Sequence, residues 1–127
     1  MRKQTAKWVR KAEADLVGAQ KLVQQKEPLH DLVCFHCQQS AEKYLKALIQ
    51  ESGLAVPRIH DLGALLLLLL PRDGTLLSLR RMLLSLNKYS VEIRYPDKSA
   101  SKREAVAAVR NAEKVRQHVR SRLKPPT

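Results

Sequence analysis

Aromatic residues and glycine are scarce in this 127-residue chain: aromatics make up 4%, with one Trp, one Phe and three Tyr, and glycine occurs four times. Stretches rich in Val, Ile, Thr and Tyr, which suit a pleated, half-buried strand, are missing, and their absence excludes a sheet-based architecture. Leu, Ala, Lys, Arg and Gln are abundant instead, and straight-chain residues of this kind lose little rotamer freedom in a helix. The composition therefore predicts an all-α fold. Hydrophobic residues at 44% suffice for a core and exclude wholesale disorder. The length fits a single domain, 1–127, with a core from about residue 5 to 123.

Long apolar runs are also lacking. The longest, Ala64 to Leu70, falls far short of the roughly 20 residues a membrane-spanning helix needs. The N-terminal MRKQTAKWVRKAEADL is charged and has no apolar stretch of signal-peptide length. Neither membrane insertion nor export is indicated, so a cytoplasmic location is expected. Acidic residues are few: 12 Asp plus Glu stand against 24 Lys plus Arg, a formal net charge of +12. Such an excess favours polyanionic partners through counterion release, and an acidic protein would satisfy the same field.

Only two cysteines occur, Cys34 and Cys37. Inside a helix they read as reduced packing residues rather than a disulfide. With His30 they stand at i, i+4 and i+7, a spacing one helix can present to zinc, but no fourth ligand is evidently placed. A Cys-x-x-Cys redox pair lacks its strand–helix surroundings. No metal and no other cofactor are expected.

The periodicity predicts five helical segments. Thr5 to about Gln25 repeats Trp8, Val9, Ala12, Leu16, Ala19, Leu22 and Val23 at threes and fours. Lys26-Glu27-Pro28 interrupts it, with Pro28 suited to the first turn of a second helix that closes near Ser52-Gly53. Asp61 is placed to cap a short third helix, HDLGALLLLLL, with His60 packing beside it, and the alternative reading gives His60 and Asp61 to a ligand cleft as polar groups. Leucine on every side of that segment reads as core or as the seam of a dimer. A fourth helix is expected from about Thr75 to Ser90. Residues 91–97 form a non-helical link, because Pro96 pushes Tyr95 out of helical geometry. Ser101 and Glu104 have capping-box spacing at the start of a fifth helix. Four long helices and one short one make an up-and-down helical bundle.

His30 to Gln50 is the stretch around which the rest is organised. At roughly 100° per residue, Val33, Cys37, Ser40, Ala41, Tyr44, Ala47 and Leu48 share one face. His36, Gln39, Lys43 and Lys46 follow at spacings of three, four and three beside it. Lys43 and Lys46 as point charges, with His36 and Gln39 as donors, can line an anion or nucleotide cleft. Read blandly, Glu42 and Lys46 at i, i+4 only support an exposed helix, and His36 sits at the core edge. Arg94 follows a helix end, where the dipole favours a cation. Tyr95 beside it can stack on a base or donate to phosphate, and Asp97 is placed to hold the Arg94 guanidinium.

Taken together, Trp8, Ala12, Asp15, Leu16 and Ala19, then CFHCQQSAEKYLKALI from Cys34 to Ile49, His60-Asp61-Leu62 and Arg94-Tyr95-Pro96 resemble the HEPN domain. That family is named for nucleotide binding in higher eukaryotes and prokaryotes. The segments occur in family order and span nearly the whole chain. The resemblance implies a helical bundle, commonly a homodimer, partnered with a minimal nucleotidyltransferase in a toxin–antitoxin-like module. It also implies Arg94 and Tyr95 as the first choice of binding residues.

Many HEPN proteins are metal-independent ribonucleases that use an Arg followed, after four to six residues, by His. After Arg94 those positions hold Ser99, Ala100 and Ser101, and the next histidine is His118. Arg can stabilise phosphate charge but cannot shuttle a proton near neutral pH, as imidazole does. The expectation is therefore binding of a nucleotide or RNA without turnover. A ribonuclease toxin and a non-catalytic protein-interaction module are the alternatives.

Overall fold

Lys3–Leu22 (α1), His30–Glu51 (α2) and Lys102–Arg122 (α5) carry the fold in this computed structural model, which describes residues 1–91 and 95–123. Two eight-residue helices, Leu62–Leu69 (α3) and Arg80–Asn87 (α4), complete it. No strand is present among the described residues. The all-α bundle expected from composition and periodicity is the architecture found.

α2 is the central helix. It buries Val33, Cys34, Cys37, Ala41, Tyr44, Leu45, Ala47, Leu48 and Ile49, packing mainly on α1 and α5 and also on α3 and α4. Ala12 and Ala19 of α1 are fully buried, and these small side chains bring the α1 backbone close. Ser40 uses that closeness: its hydroxyl donates to the Ala12 carbonyl at 2.9 Å. Cys34 and Cys37 are free thiols in the core.

The helix ends follow local chemistry. Gly53 takes φ +84°, the left-handed conformation that suits glycine, and its N–H closes onto the Gln50 carbonyl at 3.1 Å. Asp61 caps α3 by accepting from Ala64 N at 3.0 Å, a contact worth about 1 kcal/mol. Ser101 and Glu104 form the reciprocal capping box at the start of α5. Pro28 precedes α2, whose first residue is His30.

One element departs from expectation. The segment read as a continuous fourth helix is broken into a 3₁₀ turn at Gly74–Leu79, then α4, then a second 3₁₀ turn at Lys88–Ser90. Serine explains much of this. Ser78 Oγ donates to the Thr75 carbonyl and Ser90 Oγ to the Asn87 carbonyl, each at 3.0 Å. Such local bonds compete with the α-helical ladder.

The leucine run is part buried and part exposed. Leu62, Leu65, Leu66 and Leu69 are buried, while Leu67 (69% exposed) and Leu68 remain on the surface with Leu77 and Leu84. No described helix is long and apolar enough to cross a membrane.

Candidate functional site

The polar side of α2 divides into two clusters. In the first, Asp15 of α1 stands between two α2 side chains. His36 Nδ1 lies 2.9 Å from Asp15 Oδ1, and Lys43 Nζ donates to Asp15 Oδ2 at 2.5 Å. His36 and Lys43 are seven positions, two helical turns, apart, and the antiparallel α1 inserts one carboxylate between them. Lys43 is thereby neutralised within the bundle.

The second cluster is more deeply buried and centres on Glu42, whose side chain is 4% exposed. Its Oε2 accepts from Lys46 Nζ at 3.1 Å and lies 3.0 Å from His60 Nδ1. Its Oε1 accepts from Gln38 Nε2 at 3.3 Å. Lys46 is buried as well, and its amine sits 5.7 Å from the Trp8 ring centroid, within range of a cation–π attraction. Gln38 Nε2 also donates to the His60 carbonyl, and Gln39 Nε2 donates to Gln38 Oε1 at 2.8 Å.

Glu42 and Lys46 do form an i, i+4 pair, but a buried one rather than support for an exposed face. Desolvating such a pair is costly unless its remaining polar capacity is met; here Gln38 and His60 bond the carboxylate and the Trp8 ring faces the ammonium. His60 does not pack into the core: its side chain is 69% exposed. With Glu42 accepting from Nδ1–H, Nε2 is left as the acceptor nitrogen of the ring.

His60 borders a cleft of about 320 Å³ that is also lined by Phe35, Gln39, Ser90 and Val91. Of the residues expected to bind a ligand, the fold brings Gln39 to this cleft and holds His36, Lys43 and Lys46 in the adjoining clusters. Tyr95 and Asp97 are exposed on the connector before α5. Arg94 lies outside the described residues.

Six of the twelve acidic residues are held in ion pairs among the described residues. Glu13 accepts from Tyr44 and from Arg116, with Arg120 Nη1 at 3.7 Å. Glu51 holds the N-terminal segment through Arg2 N and Thr5 Oγ1, both at 2.8 Å. Asp73 pairs with Arg122 at 3.2 Å, and Glu104 with Lys88 at 3.4 Å. Lys7, Arg10 and Lys11 on α1, and Lys102, Arg103, Arg110 and Lys114 on α5, stay exposed and join no ion pair among the described residues.

His118 serves elsewhere: its Nε2 lies 3.1 Å from Thr75 Oγ1, which also accepts from Arg122. Burial pushes the Cys34 thiol up to about 11, and burial pushes Cys37 higher still. Such thiols are poor nucleophiles. Among the described residues no three His, Cys, Asp or Glu side chains gather closely enough to hold a metal ion.

Sequence reasoning did not assign Asp15 as the partner of Lys43, Glu42 as the partner of His60, or Phe35 and Ser90 as cleft walls. The i, i+4 spacing of Glu42 and Lys46 was the one visible signal. The other contacts join residues far apart in the chain.

Comparison with known proteins agrees with this architecture. The HEPN domain model matches residues 5–122. ST0689, an archaeal HEPN homologue, superposes with a TM-score of 0.76 at 26% identity, covering 98% of this chain and 100% of its own. TT1696 from Thermus thermophilus gives a TM-score of 0.80 at 30% identity, covering 96% of this chain and 100% of its own. Among curated proteins none matches significantly. With the family model spanning nearly its whole length, the chain belongs to the HEPN domain family.

Proposed function

We propose that this HEPN protein binds a nucleotide or RNA through a basic surface and does not turn it over. The observation that carries this reading is the distribution of charge. Six of the twelve carboxylates are held in ion pairs among the described residues, while the basic side chains Lys7, Arg10, Lys11, Lys102, Arg103, Arg110 and Lys114 stay exposed along α1 and α5 in a chain of net charge +12. Free surface cations of this kind release counterions from a phosphate backbone on binding. Asp15 and Glu42 neutralise Lys43 and Lys46, which therefore shape the site from behind rather than contact the anion first.

Binding is favoured over cleavage because Ser99, Ala100 and Ser101 occupy the positions where a nuclease histidine would follow Arg94. In the proposal Arg94 and Tyr95 contact the ligand, with Asp97 orienting the guanidinium. The working unit is a homodimer, in which the exposed Leu67, Leu68, Leu77 and Leu84 meet a second copy. As membership of the family implies, its setting is a toxin–antitoxin-like pair in the cytoplasm with a minimal nucleotidyltransferase.

Titration of labelled ATP, GTP and a short RNA against wild type and Arg94→Ala tests the reading. Arg94→Ala is expected to weaken binding roughly tenfold or more, as loss of a charge-assisted contact does. Unchanged binding removes Arg94 from the site. Decay of the RNA by wild type but not by Arg94→Ala replaces binding with the ribonuclease reading. Failure of all three ligands to bind, with a nucleotidyltransferase co-purifying, replaces it with the interaction-module reading.

A further inference from the structure

We infer that the cleft lined by Phe35, Gln39, His60, Ser90 and Val91 receives one unpaired nucleobase, so the ligand is a free nucleotide or a single strand rather than a duplex. This rests on the nucleotide-binding reading and names its substrate class.

The walls fit that ligand. Phe35 and Val91 supply apolar surface, and an aromatic side chain on a half-exposed wall is a stacking platform for a base that has left its helix. The volume of about 320 Å³ is enough for one base, and stacking that base against Phe35 requires it to have left its pair. Gln39 supplies an amide, the group that meets the donor–acceptor edge of a base. One of its N–H bonds goes to Gln38 Oε1 at 2.8 Å, which fixes the plane of the amide, and its oxygen and second N–H have no partner among the described residues.

His60 is the polar contact at the rim, and Glu42 is its positioning residue. Glu42 Oε2 and Oε1 lie 3.0 and 3.2 Å from His60 Nδ1. The carboxylate is fixed in turn by Lys46 at 3.1 Å and Gln38 at 3.3 Å. A solvated histidine does not require a buried ion pair behind it; a histidine that must present Nε2 in one orientation does. Nε2, the acceptor nitrogen of that tautomer, then takes a hydrogen bond from a hydroxyl of the sugar attached to the seated base.

The test compares a labelled single-stranded RNA of about eight nucleotides, long enough for one such site, with its duplex and with ATP. Wild type, Phe35→Ala, Gln39→Ala and His60→Gln are each checked for unaltered thermal unfolding. The single strand and ATP are expected to bind and the duplex to bind about tenfold more weakly. Phe35→Ala and His60→Gln should each cost about tenfold on the single strand, the size of one lost stacking or polar contact. In Glu42→Gln, the ¹⁵N shifts of the His60 ring should move from a single tautomer towards a mixture, with a smaller loss of affinity than in His60→Gln. If Phe35→Ala does not fold, Gln39→Ala and His60→Gln carry the same comparison. Equal affinity for single strand and duplex, with the cleft variants unaffected, overturns the base-in-cleft inference while nucleotide binding stands. Absence of any binding to all three probes overturns both.

Discussion

Asp15 and Lys43, 28 positions apart, meet at 2.5 Å across the α1–α2 interface, and His36 reaches the other oxygen of the same carboxylate. One acidic side chain on α1 therefore fixes two basic side chains that the sequence alone would leave free for ligand. Asp15→Asn should lower the free energy of unfolding by about 1–3 kcal/mol, the cost of leaving partly buried groups unsatisfied. Urea denaturation reads this as a lower midpoint at unchanged slope. A midpoint equal to wild type would show that the pair is dispensable.

The buried Glu42–Lys46 pair makes a sharper demand. Glu42→Ala leaves the Lys46 ammonium uncompensated beside Trp8 and should cost about 3–5 kcal/mol. Lys46→Met alone strands the carboxylate and should also destabilise. The double substitution Glu42→Leu with Lys46→Met should recover most of the loss, since a well-packed apolar pair often equals a buried ion pair. Strictly additive losses in chemical denaturation would contradict this coupling.

Three carboxylates tie stability to pH. Glu51 is held below the ordinary carboxylate range first by the backbone N–H of Arg2 and further by the Thr5 hydroxyl. The Thr75 hydroxyl does the same for Asp73, and the backbone N–H of Ser101 for Glu104. Folded values below the unfolded ones mean that the unfolded chain binds more protons. The stabilisation is therefore present above the ordinary carboxylate values and lost as pH falls through the lowered folded ones. Thermal midpoints should drop on acidification through that window, and Glu51→Gln should flatten part of the drop. An equally steep decline in the variant would remove Glu51 from the linkage.

The thiols act at the opposite end of the scale. Burial raises Cys34 to about 11, and burial raises Cys37 further, so the folded chain holds thiol protons that the unfolded chain releases. Their contribution is complete below the ordinary thiol value and is lost as pH rises through the elevated ones. At neutral pH an aromatic disulfide reagent should leave both cysteines unmodified until the protein unfolds, then titrate two. Fast modification of the native protein would place a thiol outside the core.

Much of the fold was legible because its determinants are local. The caps at Asp61 and Ser101, the left-handed Gly53 and the apolar spacing of α2 each lie within a few consecutive residues. The broken fourth helix was not legible, because Ser78 and Ser90 decide it through side-chain bonds that leave the leucine spacing unchanged. At the candidate site, residue types gave the position of the polar face but not its pairing. Asp15 with Lys43, and Glu42 with His60, join segments that meet only once the helices pack. Lys46 shows the consequence: its spacing reads as a surface charge, while packing against Trp8 makes it a buried one.

Salt dependence of RNA binding tests the proposed function most directly. Fluorescence anisotropy of a labelled short single strand, repeated over a range of salt concentrations, gives log Kd against log[salt]. A phosphate-contacting surface predicts a straight line along which affinity falls as salt rises, with a slope reduced by about 1 for each contacting residue removed, as in Arg110→Ala or Lys114→Ala. Affinity insensitive to salt, or no binding at low salt, would contradict it.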